Sequence, residues 1–377
     1  MRSMDVVADA ASANVLCVTR VLIVRGHQAT PWELVPWSLL PSEFEVRYLR
    51  TASNAFDDSS LALEPVEVSS LRDRFPRNRL GEVATGLLND RYLGDADAAF
   101  ADADIVHGAE LLYWFSADAA RRRRRNRFAL VQTVWETLPV LEAYRSPKAR
   151  AFRRDVLDAT DHFVAMTERA RTALLLEGVA DERITVTYPG IDVERFRTAR
   201  DTAALSEHVI LSPGRLVWEK GHQDAIRALA LLHRGIVRGV NGVILRPRLR
   251  ILGSGPERDR LEAHARELGV GAYVEFGSVA YADMPRAFHE ASCLLLGSIP
   301  MASGGRHPFD APRAFWEEQF GMVFAEAMAA GLDIITTMSG AIPEVLDGSG
   351  TLVGPGDYVA MAEALARGPL ARAPRGT

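Results

Sequence analysis

Lysine and cysteine are scarce in this sequence. Only Lys148 and Lys220 are lysines among the 44 basic residues, so a lysine at a predicted strand end stands out against a background of arginine. The two cysteines, Cys17 and Cys293, each lie within an apolar run. This placement predicts buried free thiols and argues against a disulfide framework or a cysteine metal site.

Long apolar runs and several familiar motifs are also missing. No apolar run reaches the roughly 18 residues that span a membrane, and residues 1–15 lack the apolar core of a signal peptide, so we expect a cytoplasmic protein. The sequence has no HExxH, paired CxxC, GxSxG or P-loop sequence. Zinc-dependent, serine-based and P-loop hydrolysis therefore lose their usual support. The net charge of −5 gives no reason to expect a nucleic acid partner.

Strand and helix patterns alternate along a chain of 377 residues, long enough for two domains. The first series has strand patterns at Val15–Gly26, Phe44–Arg50, Asp104–His107, Phe128–Trp135, His162–Thr167 and Arg183–Tyr188, and helical patterns near Leu80–Ala98, Glu110–Arg123 and Leu141–Asp158. The second has strands at His208–Leu211, Leu249–Leu252, Tyr273–Phe276, Cys293–Leu296, Asp333–Thr337 and Thr351–Val353, and helices near Gly221–His233, Pro256–Leu268, Ala282–Ala291, Met322–Ala330 and Tyr358–Ala366. This alternation predicts α/β domains with parallel, doubly wound sheets.

We place the domain boundary near residue 195. The segment Tyr188–Asp192 interrupts the alternation, and the polar stretch Thr198–Glu207 is interpreted as a linker. Residues 1–195 and 196–377 then form two similar domains that face each other across a cleft at the carboxyl ends of their strands, where such folds bind ligands. The aperiodic stretch Met301–Phe315 is expected to be a loop at the mouth of that cleft.

The stretch Trp316–Gly331, with the sequence WEEQFGMVFAEAMAAG, contains two carboxylates eight positions apart. It predicts a loop that enters a helix at about Gly321 and stops at Gly331. Glu318 then lies in the loop and Glu326 about one turn inside the helix, on either side of the free N–H groups of the first turn. A nucleoside-diphosphate sugar suits this arrangement, with phosphates on the amides and sugar and ribose hydroxyls on the two acids. The alternative is an amphipathic helix with two solvated acids.

The segment Ser212–His222 presents two cations after a strand. Arg215 offers a planar fork for a phosphate, and Lys220 offers a compact point charge. Together they are suited to a diphosphate leaving group, because Glu318 and Glu326 are predicted at the same edge of the sheet. A pair of solvated surface cations is the alternative.

Other strand ends of the second domain carry weaker signals. The segment Leu252–Pro256 lacks the third glycine of a dinucleotide fingerprint, so we favour a tight turn over a nicotinamide site. Main-chain groups of Gly277 and Val279 are candidates to hold a nucleotide base, although a plain turn fits equally well. Glu344, early in a predicted helix, is interpreted as structural.

Strand ends of the first domain supply further candidates. Gly26 follows the first strand and is a candidate donor contact, while His107, Trp135 and Glu136 would face the acceptor or sugar side of the cleft. A lone histidine at a strand end is also typical of a structural residue. The run Arg121–Arg125 at a helix end complements the helix dipole or contacts anionic lipid headgroups.

The ordered set of motifs resembles the retaining glycosyltransferases of family 4, which have the GT-B fold of two Rossmann-like domains. The resemblance covers most of the second domain and rests on Pro189-Gly190-Ile191-Asp192, Gly214-Arg215-Leu216, Glu219-Lys220-Gly221, Gly253-Ser254-Gly255-Pro256, Phe276-Gly277-Ser278-Val279, Glu318, Glu326-Ala327-Met328-Ala329-Ala330-Gly331 and Gly340-Ala341-Ile342-Pro343-Glu344. Each piece alone is weak, but their order is specific.

The resemblance implies a role for each site residue. Arg215 and Lys220 would bind the donor diphosphate, Glu326 the ribose hydroxyls and Glu318 the transferred sugar. The donor loop would also include Gln319, Phe320, Gly321, Met322 and Val323. Transfer would retain the anomeric configuration, with a UDP-, GDP- or ADP-sugar as co-substrate and neither a cofactor nor a metal.

Several positions depart from the family pattern. The first loop has a single glycine, Gly26, where the family often has two. Trp135-Glu136 stands where the family often has a histidine, and Leu332-Asp333 where it usually has an aliphatic residue and proline. The tail after Leu365 is short for the helix that commonly returns to the first domain.

From these observations we expect a metal-independent hexosyltransferase. Its acceptor hydroxyl would belong to a glycan, a lipid-linked glycan or a small metabolite. Two alternatives stay open: a catalytically silent nucleotide-sugar-binding or partner subunit, and a sugar-nucleotide epimerase with the same architecture. The sequence names neither the sugar nor the acceptor.

Overall fold

The computed structural model describes residues 18–140, 147–198, 207–303 and 314–372, except residues 60, 77, 79, 82, 83, 85–87 and 89. The chain groups into two compact units, one of Met1–Gln132 with Ala151–His162 and one of Thr133–Arg150 with Phe163–Thr377. The boundary near residue 195 stays a prediction. Among the described residues, no helix is long and apolar enough to cross a membrane.

The first sheet has seven strands. They are β1 (Thr19–Ile23), β2 (Phe44–Thr51), β3 (Glu64–Val68), β4 (Ile105–Ala109), β5 (Ala129–Val134), β6 (His162–Ala165) and β7 (Ile184–Val186), in the spatial order β3-β2-β1-β4-β5-β6-β7. Val21 of β1 pairs in parallel with Val46 on one side and Ile105 on the other. Leu22 and Ile23 are both buried, as expected for a central strand covered on both faces.

Six described helices accompany these strands along the chain. They are α1 (Pro31–Leu34), α2 (Asp97–Asp102), α3 (Trp114–Arg123), α4 (Pro147–Ala159), α5 (Glu168–Leu176) and α6 (Val193–Thr198). Helix α5 begins after Thr167, whose hydroxyl accepts a hydrogen bond from the amide of Ala170 at 3.0 Å. Such a cap satisfies one of the free N–H groups of the first turn.

The second sheet has six parallel strands in the order β10-β9-β8-β11-β14-β15. The strands of this half are β8 (Val209–Pro213), β9 (Arg248–Leu252), β10 (Val274–Gly277), β11 (Cys293–Leu296), β12 (Met301–Ser303), β13 (Ala314–Trp316), β14 (Asp333–Thr337) and β15 (Thr351–Val353). Its helices are α7 (His222–His233), α8 (Arg258–Glu267), α9 (Met284–His289), α10 (Met322–Ala329), α11 (Ile342–Leu346) and α12 (Tyr358–Arg367). Strands β12 and β13 form a separate antiparallel pair.

Both faces of the second sheet are packed. Ile210 and Leu295 belong to a core cluster with α7, α8 and α12, whereas Leu211 and Leu294 belong to one with α9, α10 and α11. Neighbouring residues of one strand therefore point to opposite cores, as in parallel sheets covered by helices on both sides. Cys293 lies in the first of these clusters, which confirms the prediction that its thiol is buried.

The prediction of parallel α/β sheets is confirmed, with local corrections. Strand β3 was missed because its sequence, EPVEV, alternates acids with apolar residues at a sheet edge instead of forming an apolar run. The stretch Met301–Phe315 was expected to be an irregular loop, but β12 and β13 pair at its two ends. Helices α1, α5 and α6 were also missed, and α1 and α6 are short. The helix predicted around Glu344 is present as α11.

Some predicted features lie outside the described residues. They are Cys17, the centre of the linker Thr198–Glu207, the first turns of the helix Leu141–Asp158, part of the helix Leu80–Ala98 and residues 304–313 of the stretch Met301–Phe315.

The order of strands in the second sheet reverses direction at β8 and β11. These two strands are neighbours, and the loops after them leave the sheet to opposite sides, which is where doubly wound sheets bind ligands. The loops approach so closely that a Cβ atom on Gly221 would lie 1.9 Å from the carbonyl oxygen of Gly297. Gly221 also has a φ of +71°, so glycine is required on both counts.

Candidate active site

The segment from Trp316 to Gly321 is fixed to the end of strand β14. The amide of Ala341 donates to the carbonyl oxygen of Glu318 at 2.8 Å, and the Ser339 hydroxyl accepts from the amide of Glu318 at 3.3 Å. Gly321 has a φ of +76° and caps α10, as the glycine signal predicted. Glu318 therefore lies in the loop before the helix and Glu326 one turn inside it.

Glu318 and Lys220 form a largely buried ion pair. The Lys220 ammonium donates to Oε2 of Glu318 at 2.7 Å and to Oε1 at 2.9 Å. The Ser298 hydroxyl, after β11, donates to Oε2 at 2.7 Å. The ammonium also lies 4.9 Å from the centre of the Trp316 ring. Three separate chain segments thus meet at one carboxylate at the carboxyl edge of the sheet.

The loop that carries Lys220 is held by a buried histidine that our sequence analysis did not single out. Nδ1 of His222 lies 2.9 Å from the Ser212 hydroxyl, and Nε2 lies 3.2 Å from the carbonyl oxygen of Arg215. Burial lowers the pKa of His222 to about 4, so the ring is neutral near pH 7 and can bridge a hydroxyl and a carbonyl. The available signal was a histidine directly after Gly221, at the start of the predicted helix.

Arg215 does not join the ion pair of Lys220 and Glu318. Its side chain is 69% exposed, and its guanidinium lies 4.0 Å from the Glu219 carboxylate. The two cations that were predicted to act together therefore differ in the structure. One is held at the buried acid, and the other extends into solvent.

Glu326 lies in a second, separate acidic site. Its carboxyl is buried beside the Tyr281 hydroxyl, and Arg195 of α6 covers Tyr281, with its guanidinium carbon 4.7 Å from the ring centre. Arg195 also donates to the carbonyl oxygen of Tyr281 at 2.5 Å. Burial raises the pKa of Glu326 to about 7, against the opposing effects of Tyr281 and Arg195. Neither Tyr281 nor Arg195 was among the predicted site residues.

The residues on both sides of Glu318 have their own partners. Arg169 forms two hydrogen bonds to Glu317, at 2.5 and 2.7 Å. The side-chain amide of Gln319 donates to Glu136 at 3.2 Å. Consecutive residues of this segment are therefore fixed by different parts of the same unit.

Phe320, Trp135 and Tyr188 form an aromatic group beside the same segment. The Phe320 ring is buried, and its centre lies 6.2 Å from that of Trp135 and 6.4 Å from that of Tyr188. Trp135 and Glu136, predicted only as weak sugar-side candidates, are thus brought to the loop before α10, which is predicted to bind the donor. Sequence spacing gives no sign of this, because 184 positions separate Trp135 from Gln319.

Glu344 has a structural role, as predicted. Its carboxylate accepts from the amides of Glu168 and Arg169 at the start of α5, at 2.6 and 3.1 Å, and from the Tyr188 hydroxyl at 2.9 Å. A carboxylate at this place satisfies free amides and complements the helix dipole.

Of the remaining predicted residues of the second unit, Met322 and Val323 begin α10, and Gly277 and Val279 lie at or just after the end of β10. The amide of Gly253 donates to the carbonyl oxygen of Gly277 at 2.8 Å, and Val279 is exposed. A cavity of about 610 Å³ opens beside β10, lined by residues that include Arg258, Glu262 and Phe276. None of the residues predicted to bind the donor lines this cavity.

In the first unit, the two predicted residues are enclosed by other side chains. The imidazole of His107 is buried 3.2 Å from the guanidinium of Arg25, and burial lowers its pKa well below the usual range. Gly26 has a φ of +57°, and a Cβ atom there would lie 2.6 Å from the Trp114 ring. These surroundings favour the structural interpretation of His107.

The run Arg121–Arg125 is mostly neutralised by acids of the same unit. Arg121 and Arg124 pair with Asp155 at 3.0 and 3.5 Å, and Arg123 pairs with Asp161 at 3.3 Å. Arg122 contacts both Asp118 and Asp97. The run is therefore not a free cationic surface for lipid headgroups.

Two family profiles match adjoining parts of the chain. The profile described as "Glycosyl transferases group 1" matches residues 195–367, and the profile "Glycosyltransferase Family 4" matches residues 41–195. Together they cover residues 41–367, which is most of the two predicted domains.

Curated relatives include the D-inositol 3-phosphate glycosyltransferases of Mycobacterium tuberculosis and Mycobacterium bovis. They are 29% identical over 272 residues, which is 66% of this chain and 50% of theirs. The chain therefore aligns with about half the length of these relatives.

Solved structures extend the similarity to the fold. Anabaena Alr3699/HepE in complex with UDP and glucose superimposes with a TM-score of 0.67 at 17% identity, over 92% of this chain and 89% of that one. WaaG, a glycosyltransferase involved in lipopolysaccharide biosynthesis, superimposes with a TM-score of 0.62 at 16% identity, over 93% and 90%. At these identities the likeness establishes the fold, which is GT-B.

Proposed function

The chain belongs to the group 1 glycosyltransferases with a GT-B fold, and on that premise we propose that it is an enzyme that transfers a sugar from a nucleoside-diphosphate sugar to an acceptor hydroxyl. The proposal includes retention of the anomeric configuration and a reaction that needs no metal. The acceptor belongs to a glycan, a lipid-linked glycan or a small metabolite.

The buried ion pair of Lys220 and Glu318 at the strand ends is the observation that carries this proposal. Burial of the Glu318 carboxylate with a lysine and a hydroxyl costs desolvation free energy that the ion pair only partly offsets. Such a buried pair is therefore better explained by function than by stability. Next to it, the first turn of α10 supplies free amides for an anion. The pair combines an acceptor for sugar hydroxyls with a donor for phosphate oxygens.

In this reaction the bond between the anomeric carbon and the diphosphate breaks, and a bond from the acceptor oxygen to that carbon forms. The proton of the acceptor hydroxyl passes to an oxygen of the departing diphosphate. Negative charge grows on the departing nucleoside diphosphate, where Lys220, Arg215 and the amides of α10 stabilise it. Glu318 holds the sugar while its ring gains positive charge. Two N–H groups of Lys220 contact Glu318, so the third is available to a phosphate oxygen.

We propose a UDP-sugar as the first donor to test. The neighbour Alr3699/HepE is described in complexes with UDP and with UDP-glucose. Glu326 would accept hydrogen bonds from the ribose hydroxyls, while Tyr281 and Arg195 cover the carboxyl from solvent. For the acceptor, the D-inositol 3-phosphate relatives suggest a phosphorylated polyol as one compound to include.

Thermal unfolding in the presence of a panel of UDP-, GDP- and ADP-sugars tests the donor. A donor that binds the folded protein at a hundred times its Kd stabilises it by about 2.7 kcal/mol. Donors that raise Tm are then incubated with acceptors, and released nucleoside diphosphate and glycosylated product are quantified. If no nucleotide sugar in the panel raises Tm or is consumed, the proposal is wrong.

A catalytically silent binding subunit is the alternative that a specific observation favours. Trp135 stands where the family often has a histidine, and its ring lies against Phe320 of the donor loop. A silent subunit would show the Tm shift without nucleotide release under any acceptor. An epimerase would instead convert the donor in the absence of an acceptor.

A further inference from the structure

The loop between α7 and β9, residues 234–247, exposes an aliphatic surface. Ile236 is 66% exposed, Val240 and Val243 are each 56% exposed, and Ile244 is 44% exposed. Four such side chains within nine residues form a patch instead of the single scattered residues that are normal on protein surfaces. We call residues 234–247 the α7–β9 loop.

The α7–β9 loop has an ordered backbone. The amide of Gly239 donates to the carbonyl oxygen of Val243 at 2.9 Å, and the amide of Ile236 donates to that of Leu231 at 3.0 Å. Val237 and Leu245 pack against the core cluster of α7 and α8. The tip is therefore anchored by two apolar residues, while Val240 and Val243 stay in solvent.

Positive charge surrounds this aliphatic tip. The sequence has no acidic residue from position 225 to position 256. Arg234 and Arg238 are exposed and donate to the carbonyl oxygens of Leu268 and Gly235, at 2.8 and 3.0 Å. Across the described part of the chain, Arg234, Arg238 and Arg246 have no carboxylate within ion-pair distance, unlike the neutralised Arg121–Arg124.

We propose that the α7–β9 loop is a docking surface for an anionic lipid bilayer. Aliphatic side chains that enter the boundary of the acyl chains, together with arginines at the level of the headgroups, are the two components of reversible membrane binding. A protein partner is less suited, because residues 234–247 include none of the large aromatic anchors that dominate protein interfaces.

The position of the loop in the second unit is compatible with function at the donor site. Helix α7 starts beside Lys220 and has twelve residues, so it carries the chain about 18 Å toward the opposite edge of the sheet. The α7–β9 loop thus lies at the amino ends of the strands, whereas Lys220, Glu318 and Glu326 lie at the carboxyl ends. Docking by this loop leaves those residues uncovered, and the proposal stands independently of the transfer reaction.

Vesicle flotation of the purified full chain tests the proposal. We expect binding to vesicles of phosphatidylcholine with phosphatidylglycerol, weak binding to phosphatidylcholine alone, and a decrease as salt screens the charges. Arg246→Gln should weaken binding about fivefold, the effect of one arginine near an anionic surface. The double variant Val240→Ser/Val243→Ser should weaken vesicle binding at both low and high salt, because the substitutions remove the apolar contribution, which salt does not screen.

Matched variants elsewhere separate docking from general effects. Arg124→Gln removes an exposed arginine that is paired with Asp155, and Leu175→Ser/Leu176→Ser removes two exposed aliphatic residues of α5. Both should bind vesicles like the wild type, with circular dichroism to verify folding of all variants. The proposal is overturned if the wild type does not float, or if the matched variants lose as much binding as the loop variants. It also fails if Val240→Ser/Val243→Ser alters only the oligomeric state in sedimentation velocity, since the tip then contacts a second copy.

Discussion

At the scale of single residues, Glu318 and Glu326 have different surroundings and should have different roles. Glu318 is bound by Lys220 and Ser298 in the loop, whereas Glu326 lies one turn inside α10 beside Tyr281. Glu318→Gln should mainly lower kcat, because a contact that strengthens in the transition state is lost. Glu326→Gln should mainly raise KM for the donor. Measuring kcat and KM over a range of donor concentrations tests both variants. A higher KM with unchanged kcat in Glu318→Gln would contradict this assignment of roles.

The pKa of Glu326, raised by burial to about 7, gives stability a defined dependence on pH. The folded state holds the proton more tightly than the unfolded chain. The associated stabilisation is therefore complete below the ordinary glutamate pKa and is lost as the pH rises through about 7. The loss relative to Glu326→Gln should reach about 3 kcal/mol. Urea unfolding of the wild type and Glu326→Gln at pH 5 and pH 8 measures this loss. If the free energy of unfolding changes equally with pH in both proteins, the prediction is wrong.

Lys220 and Arg215 should respond differently to substitution. Lys220→Met leaves the buried Glu318 carboxylate without its cation, so we expect a loss of stability of about 3–5 kcal/mol in addition to lost turnover. Arg215→Ala should change stability by less than about 0.5 kcal/mol, but lower turnover by about ten- to a hundredfold through one diphosphate contact.

Two comparisons make that test specific. Lys220→Met combined with Glu318→Gln should regain most of the lost stability without regaining activity. Wild-type kinetics in Arg215→Ala, with an identified donor, would remove Arg215 from the diphosphate site.

At the scale of elements, the turn after β14 positions the loop that carries Glu318. Gly340 has a φ of +55°, and a Cβ atom there would lie 2.0 Å from the carbonyl oxygen of Glu318. Gly340→Ala should therefore displace Glu318 and lower kcat, in addition to the roughly 1–2 kcal/mol that a left-handed backbone costs for alanine.

Gly348 supplies the control for this prediction. Its φ is +84°, and no atom lies within 4 Å of a Cβ atom built there. Gly348→Ala should show the loss of stability alone, in thermal unfolding, with kcat unchanged. Equal kinetics in the two variants would mean that the turn does not position Glu318.

At the scale of the whole molecule, we predict a reaction that is independent of metal ions. In the proposed function, the Lys220 ammonium, the Arg215 guanidinium and the amides of α10 would supply the positive charge that a metal provides in other sugar-nucleotide sites. Activity should persist unchanged in EDTA. Loss of activity in EDTA, with recovery on adding manganese or magnesium, would show that these groups are not the whole leaving-group site.

The sequence by itself determined the local features of this protein. Parallel α/β architecture follows from alternating apolar strands and amphipathic helices, and the start of α10 follows from Gly321, since both are decided by residues close together in the chain. The ordered motifs around Lys220, Glu318 and Glu326 indicated the family. Even the acid-free stretch from 225 to 256 was visible in the sequence, although nothing there showed which side chains are exposed.

Only the tertiary structure decided which distant residues meet. Three contacts join residues that are 45 to 183 positions apart in the sequence. They are the ion pair of Lys220 and Glu318, the hydrogen bond of Gln319 to Glu136 and the hydrogen bond between Tyr281 and Glu326. Such contacts depend on strand order and on close loop packing at glycines, which no local periodicity encodes. The separation of Arg215 from that ion pair has the same origin, because burial of a charge is a property of the assembled site.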